Sequence, residues 1–414
     1  MALLYNMSMR VYFAGISGTG IGPLAELAQD AGHEVLGSDI QPGAIAAELA
    51  QRKIEVKYGP QDGEFLREKQ AEAPIDWFVY TSALPADHPE LKLAQSWGLR
   101  CSKRDEFLAQ LVADKQLKML AVAGTHGKTT TTALLIWTLR ELGVPVSYAV
   151  GTTLGWAPSA HYAPDCEYFV YEADEYDRNF LAYQPELALI TGVDYDHPDC
   201  YPTPEEYRAA FAQFESQANS VVKNTTIEPK ISLVGELRRF DASLVYAALK
   251  ELNMARTDDE IIAAINRFPG AGRRFEEIVP GVFSDYGHHP AEIKATVKMA
   301  IELKEQKGFQ GLAVVYEPHQ NVRQHEIGDG YADAFVGADK IFWLPTYLTR
   351  ERPDLDILTP EDLIRKLQNA DKAEPAEMND DLAQKLKTLQ NEGWLVVLMT
   401  AGPADAWLRR VFRA

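Results

Sequence analysis

The tightest constraint on this chain is the stretch Gly124-Thr125-His126-Gly127-Lys128-Thr129-Thr130, which follows the apolar run Leu117–Ala123 and opens a helical pattern through Leu142. Gly143 and Pro145 close that helix. A strand that enters a tight glycine turn and leaves as a helix is the arrangement such a sequence predicts. The glycines let the backbone wrap around phosphate oxygens with amide N–H groups pointing inward. Lys128 would neutralise terminal phosphate charge and the Thr129 hydroxyl would ligate magnesium. The alternative is a glycine-rich turn that precedes Lys-Thr by chance, and the flanking strand and helix weigh against it.

The same strand, turn and helix order occurs twice more. Near the N-terminus, Arg10–Gly15 runs into Gly15-Ile16-Ser17-Gly18-Thr19-Gly20-Ile21-Gly22, and Leu24, Ala25, Leu27, Ala28 and Ala31 then recur at helical spacing. Glu34–Gly37 and Trp77–Tyr80 read as strands, ending at Ser38-Asp39 and Thr81-Ser82, with a helix over 45–52. After Gly124, Tyr168–Tyr171 and Leu187–Ile190 read as buried strands. Beyond Gly272 the strands are Val282–Ser284, Ala313–Tyr316, Ile341–Leu344 and Leu395–Met399. Alternation of this kind predicts parallel sheets, hence an α/β protein of three domains, bounded as 1–112, 113–272 and 273–414.

Composition narrows the function. With 41 Lys+Arg against 60 Asp+Glu the net charge is −19, which argues against a nucleic-acid binder, since phosphate backbones are bound by clustered cations. No apolar run approaches the roughly 20 residues that cross a bilayer, and Met1–Met9 lacks the pattern of a secretory signal. The three cysteines, Cys101, Cys166 and Cys200, suit a reducing cytoplasm. An acidic chain repels anionic ligands at long range, so a phosphorylated substrate must be held by local cations, amides or a metal.

Carboxylates cluster where such a metal would need them. Glu172-Ala173-Asp174-Glu175-Tyr176-Asp177 and Asp194-Tyr195-Asp196-His197 each follow a predicted strand, and the C-terminal ends of parallel strands line one sheet edge. A charge run alone more often marks a solvated loop; the shared edge with the phosphate loop favours a site. The N-terminal glycine turn, with Asp39 placed to meet a ribose hydroxyl, suits a dinucleotide site or a purely structural turn. His288 and His289 in Asp285-Tyr286-Gly287-His288-His289-Pro290 invite zinc, for which no matching ligand set is evident.

Taken in order, Gly15–Gly20, Thr81-Ser82-Ala83, Ala123–Thr132, Glu172–Glu175, Gly272-Arg273-Arg274-Phe275 and Asp285–Pro290 resemble the Mur ligase family over nearly the whole chain. The resemblance implies a Rossmann-like N-terminal domain for a UDP-sugar, a central P-loop ATPase domain and a Rossmann-like C-terminal domain for the amine. It is nearest to the members that join UDP-N-acetylmuramate to L-alanine, with ATP and magnesium (Mg2+). By that resemblance Lys128 binds the β and γ phosphates within the ATP loop Gly124, Thr125, His126, Gly127, Thr129 and Thr130. Thr129, Glu172 and His197 hold magnesium, Arg274 stabilises the transferring phosphoryl group, and Asp285 contacts the ATP ribose. Tyr286, His288 and Arg323 lie near the amine, and Ser17, Gly18, Thr19, Gly20, Ser38, Asp39, Thr81, Ser82 and Ala83 receive the UDP end. Closure of the domains over their substrates is also implied.

Two departures stand out. The family's strand-rich insert before its Gly-x-His-Asn-x-x-Asn-Ala motif is missing, and Leu237, Arg238 and Asp241 occupy the motif's His, Asn and Asn positions. An ionised Asp accepts hydrogen bonds but lacks an amide's paired donor and acceptor, which leaves weaker adenine recognition, stacking on Arg238, or another nucleoside triphosphate. Within Glu317–Arg323, His319 and Arg323 resemble the alanine ligases, while Glu317 and Asn321 resemble the ligases that attach a recycled short peptide to the same sugar. Three alternatives follow: a peptide-accepting ligase, a ligase-like binding protein without turnover, and a nicotinamide-dependent oxidoreductase built on the first glycine turn. Oligomeric state is not legible.

Overall fold

Apolar runs of four to six residues become the strands of three sheets. The computed structural model describes residues 8–18, 20–43, 45–81, 84–152, 154–197, 200–349 and 351–413. Sheet one contains β1 (Arg10–Ala14), β2 (Glu34–Asp39), β3 (Glu55–Tyr58), β4 (Trp77–Tyr80) and β5 (Arg100–Lys103), all parallel, in the order β3-β2-β1-β4-β5. Sheet two contains β6 (Lys118–Ala123), β7 (Val146–Ala149), β8 (Ala160–His161), β9 (Tyr168–Glu172), β10 (Leu187–Ile190) and β11 (Ser220–Val222), in the order β11-β10-β6-β9-β7-β8. Only β8 runs antiparallel there. Sheet three contains β12 (Glu276–Val279), β13 (Val282–Asp285), β14 (Leu312–Glu317), β15 (Lys340–Trp343), β16 (Ala373–Pro375) and β17 (Leu395–Thr400), in the order β12-β13-β17-β14-β15-β16.

The chain divides into two compact units. One comprises Met1–Thr226 with Asp241–Ile265 and carries sheets one and two; the other comprises Ile227–Phe240 with Asn266–Ala414 and carries sheet three. In the first unit both sheets share a core, in which Phe13, Trp77, Phe107, Phe169, Phe180 and Phe214 are buried together. Phe107 meets Phe13 and Trp77 edge to face at 5.4 and 4.8 Å. In the second unit Tyr316, Tyr331, Phe335 and Trp343 form the aromatic centre of one sheet face.

Every strand expected from the sequence is present within a residue or two, and the helix expected over 45–52 spans Ala46–Gln51. The additional strands are mostly edge or near-edge pieces. β3 and β5 carry the polar sequences Glu-Val-Lys-Tyr and Arg-Cys-Ser-Lys and present no apolar run; their pairing partners specify them. Among the described residues no strand lies between β11 and β12, where the sequence lacks the strand-rich insert. Among the described residues no helix is long and apolar enough to cross a membrane.

Topology fixes where ligands can bind. In sheet one the order reverses beside β1, and in sheet two beside β6, and crevices open at such switch points outside the C-terminal ends of parallel strands. The two glycine turns follow β1 and β6.

Candidate active site

The phosphate loop is built by glycines that no other residue could replace without strain. Gly124 has φ +143° and a Cβ there would lie 2.1 Å from Thr191 Oγ1. Gly127, with φ +81°, caps the helix Lys128–Glu141, and its Cβ would lie 2.8 Å from Asp241 Oδ1. The segment after β10 clamps the loop from outside. The Thr125 amide donates to the Gly192 carbonyl at 2.9 Å, Thr125 Oγ1 donates to the Asp194 carbonyl at 2.6 Å, and Thr191 Oγ1 donates to the His126 carbonyl. The His126 side chain is exposed. Thr132 Oγ1 donates to the Lys128 carbonyl at 2.8 Å, while Thr130 lies half-buried on the first turn.

The acidic run after β9 is no solvated loop. Its four carboxylates take four different partners. Glu172 Oε1 accepts from Thr129 Oγ1 at 2.8 Å. Asp174 meets Arg104 Nη2 at 3.3 Å. Glu175, its side chain 1% exposed, meets Lys128 Nζ at 2.9 Å and His197 Nε2 at 3.5 Å. Asp177 meets Lys103 Nζ at 2.6 Å. Sending alternate acids inward and outward takes an unusual backbone: Asp177 and Arg178 have φ of +52° and +58°, and His197 has +58°. Burial pushes the Glu175 carboxyl up, but the hydrogen bond from His197 and the charge of Lys128 hold it below the usual range. The same hydrogen bond raises His197.

Lys128, Glu172 and Asp174 line a cleft of about 200 Å³ together with Gly20, Arg104 and Gly151. The Thr129–Glu172 oxygen pair suits a hard cation such as magnesium, which takes one or two carboxylates and completes its shell with water and phosphate oxygens. His197 belongs to the same cluster through Glu175, not through Glu172. Among the described residues no three His, Cys, Asp or Glu side chains gather as a metal cluster, so the zinc alternative at His288 and His289 has no ligand set.

At the first glycine turn the Gly15 and Ile16 amides donate to the Ser38 carbonyl at 2.8 and 3.1 Å. The Ser17 amide donates to Asp39 Oδ2 at 2.8 Å, so one Asp39 oxygen is spent on the turn itself. The Gly18 amide donates to the Gly15 carbonyl at 3.1 Å. A Cβ on Gly15 would lie 2.9 Å from Thr81 Cγ2, so Thr81 packs directly on the turn. Ser38 is buried and donates to Glu90 Oε2 at 2.6 Å. Thr19, Ser82 and Ala83 lie outside the described residues.

The second unit gathers its own expected residues at the C-terminal ends of β13, β14 and β17. Arg273 and Phe275, with φ of +54° and +52°, flank Arg274. Both arginines lie over the Tyr286 ring, at 4.9 and 5.0 Å. Asp285 accepts from the Phe275 amide through Oδ2, and from the Gly287 amide and Thr296 Oγ1 through Oδ1, at 2.8 to 3.0 Å. Both its oxygens therefore hold this loop together, and burial pushes its carboxyl up. His288 Nδ1 lies 3.1 Å from the Tyr286 carbonyl, and burial lowers its pKa. Arg323 makes no hydrogen bond or ion pair among the described residues and sits half-buried where its charge acts on His288 and Tyr316.

Sequence reading missed Glu175, Arg104 and the pair Tyr331 and Gln324. Glu175 stood inside the acidic run and could have been chosen by its spacing; Arg104 and Tyr331 carry no local signal. Tyr331 donates to Gln324 Oε1 at 2.6 Å and pairs with Tyr316 Oη at 2.9 Å, and Tyr316 also reaches the His288 carbonyl at 3.2 Å.

Comparison with known proteins identifies the family. Residues 10–116 match the profile of the Mur ligase family catalytic domain, and residues 122–253 match that of the Mur ligase middle domain. The chain is 31% identical to the UDP-N-acetylmuramate–L-alanine ligase of Lactiplantibacillus plantarum, across 86% of this chain and 89% of that one. Among solved structures, the UDP-N-acetylmuramate-alanine ligase of Thermotoga maritima superposes with a TM-score of 0.77 at 22% identity, covering 98% of both chains. A murein peptide ligase of Psychrobacter arcticus gives 0.57 at 23%, also covering 98% of both. With its three sheets, its phosphate loop and relatives this similar over most of its length, the chain belongs to the Mur ligase family, ATP-dependent ligases of peptidoglycan precursor synthesis.

Proposed function

We propose that this chain joins the carboxylate of UDP-N-acetylmuramate to the amino group of L-alanine, with ATP and magnesium, in the cytoplasm. The observation that carries this reading is the single cleft in which the first glycine turn, Lys128 and Glu172 converge. A sugar seated on that turn would extend its carboxylate toward a phosphoryl group held by the phosphate loop. The alanine ligase of L. plantarum supports the choice of amine. Three working modules, 1–112, 113–272 and 273–414, for UDP-sugar, ATP and amine, follow from the same reading.

The chemistry follows from the residue types. A carboxylate is a poor acyl donor, so its oxygen first attacks the γ-phosphoryl group and ADP leaves, giving an acyl phosphate. The amine then attacks the acyl carbon, loses a proton, and inorganic phosphate leaves. Both steps concentrate negative charge, and fixed cations stabilise it without reorganising. Lys128 supplies one such charge, held in place by Glu175 and by the Gly124 carbonyl at 2.6 Å. Magnesium on Thr129 and Glu172, with His197 nearby, would supply Lewis-acid stabilisation of the phosphoryl oxygens. We assign Arg274 to the same task, Asp285 to the ATP ribose side, and Tyr286, His288 and Arg323 to the amine.

Phosphate release tests the proposal. It is expected only when UDP-N-acetylmuramate, L-alanine, ATP and magnesium are all present. Release with a tripeptide but not with L-alanine would replace this reading by the peptide-accepting one, which the fold likeness to a murein peptide ligase supports. Sugar-nucleotide binding without release for any amine would make the chain a binding protein.

A further inference from the structure

We propose that Arg104 is a substrate-binding residue, holding the diphosphate of the nucleotide sugar on the first glycine turn. This rests on the function proposed above and names a contact that no motif of the chain marks.

Arg104 opens the helix Arg104–Asp114, directly after β5. Its guanidinium reaches across to the glycine turn: a Cβ on Gly20 would lie 2.2 Å from Nη1 and 3.4 Å from Cζ. The lack of a side chain at Gly20 is what admits the arginine. The rest of the group is anchored from behind. Nε meets Asp105 Oδ2 and Nη2 meets Asp174 Oδ2, each at 3.3 Å. Asp105 is itself buried and fixed by Tyr183 Oη at 2.7 Å. Nη1, the nitrogen that faces Gly20, makes no hydrogen bond among the described residues. Arg104 and Lys128 line the same cleft, one beside each glycine turn.

A permanently charged fork with one nitrogen free, held rigid over a glycine turn, is the chemistry that grips a phosphate or carboxylate oxygen. Of the anionic groups on a nucleotide sugar, the diphosphate is the one that suits the N-terminus of the helix Gly22–Asp30, which the turn opens and against which Arg104 is built. The lactyl carboxylate belongs on the Lys128 side of the cleft, where phosphoryl transfer would occur.

Calorimetric titration of the full-length protein with UDP-N-acetylmuramate, UDP-N-acetylglucosamine and ATP tests the assignment. UDP-N-acetylglucosamine carries the same diphosphate without the lactyl carboxylate. Arg104→Gln is expected to weaken both sugar nucleotides by about tenfold or more, with ATP affinity changed less than about twofold. Arg104→Lys should fall between, since it keeps the charge and loses the fork. Gly20→Ala, which displaces the guanidinium while leaving Arg104 in the chain, should reproduce the loss if Arg104→Gln proves too unstable to titrate. Loss confined to UDP-N-acetylmuramate would overturn the diphosphate assignment in favour of the carboxylate. Unchanged affinity in Arg104→Gln or Gly20→Ala would overturn it altogether. Failure of the unsubstituted protein to bind either sugar nucleotide would instead remove the proposed function on which this rests.

Discussion

Replacing Gly127 by Ala isolates how the phosphate loop is held. Two costs are legible in the structure. Gly127 has φ +81°, and a left-handed residue with a Cβ costs about 1–2 kcal/mol. The new Cβ would also lie 2.8 Å from Asp241 Oδ1 and 3.2 Å from Oδ2, well inside ordinary contact. Asp241 is 2% exposed and cannot swing into solvent, so overpacking of about 1–3 kcal/mol is expected. Alanine restricts the unfolded chain and returns about 0.4–1 kcal/mol. The net loss is therefore about 1–4.5 kcal/mol. Gly143→Ala is the control, because Gly143 has φ +69° and nothing within 4 Å of its Cβ position, so only the backbone cost applies. Denaturation of the two variants, followed by calorimetry to separate the transitions of the two units, gives the difference. A cycle with Asp241→Ala then isolates the clash, and a coupling of about 1–2 kcal/mol in the relieving direction is expected. Equal losses for Gly127→Ala and Gly143→Ala, with no coupling to Asp241, would refute the conclusion that the Asp241 side chain leaves no room for a Cβ at position 127.

Three further outcomes can be measured. Lys128→Met should lower kcat by about 10²–10³ and also destabilise, because it leaves Glu175 buried with only His197 beside it; adding Glu175→Gln should restore melting temperature but not turnover. Burial depresses the His288 pKa below its ordinary 6.5, so the unfolded chain binds the proton more readily and stability contributed by neutral His288 is lost as pH falls below that value. His288→Gln should accordingly flatten the decline in melting temperature between about pH 7 and 5. Tyr331→Phe leaves the buried Gln324 Oε1 without its donor, at about 1–3 kcal/mol; because the same chain reaches the His288 carbonyl, the KM for the amine should rise while the KM for ATP stays level.

How much could be read in advance depended on the range of the interaction concerned. β1, β6, β10, β14 and β17 are short apolar runs, and burial on both faces of a parallel sheet makes such runs explicit in sequence. β3 and β5 are edge strands of mixed polarity and become strands only through the registers Leu36↔Glu55 and Phe78↔Cys101, which no local pattern encodes. The candidate site divides in the same way. Lys128 and Thr129 sit in a contiguous motif whose spacing is its own geometry. The partners of the acidic run come from β5, the helix after it, the phosphate loop and the segment after β10, and Arg104 precedes its partner Asp174 by seventy positions.

By itself the sequence determined the repeated strand, turn and helix units and the glycine loop that precedes Lys128 and Thr129, because these follow from local sterics and hydrophobic period. Tertiary structure alone decided which carboxylate meets which cation. Glu172, Asp174, Glu175 and Asp177 are chemically near-equivalent along the chain; left-handed backbone at Asp177 and Arg178, together with the fold's placement of Thr129, Arg104, Lys128, His197 and Lys103, gives each a different partner. The −19 net charge, which argues against a nucleic-acid binder, is offset locally only in three dimensions, where Lys128 and Arg104 come to share one cleft with Glu172 and Asp174.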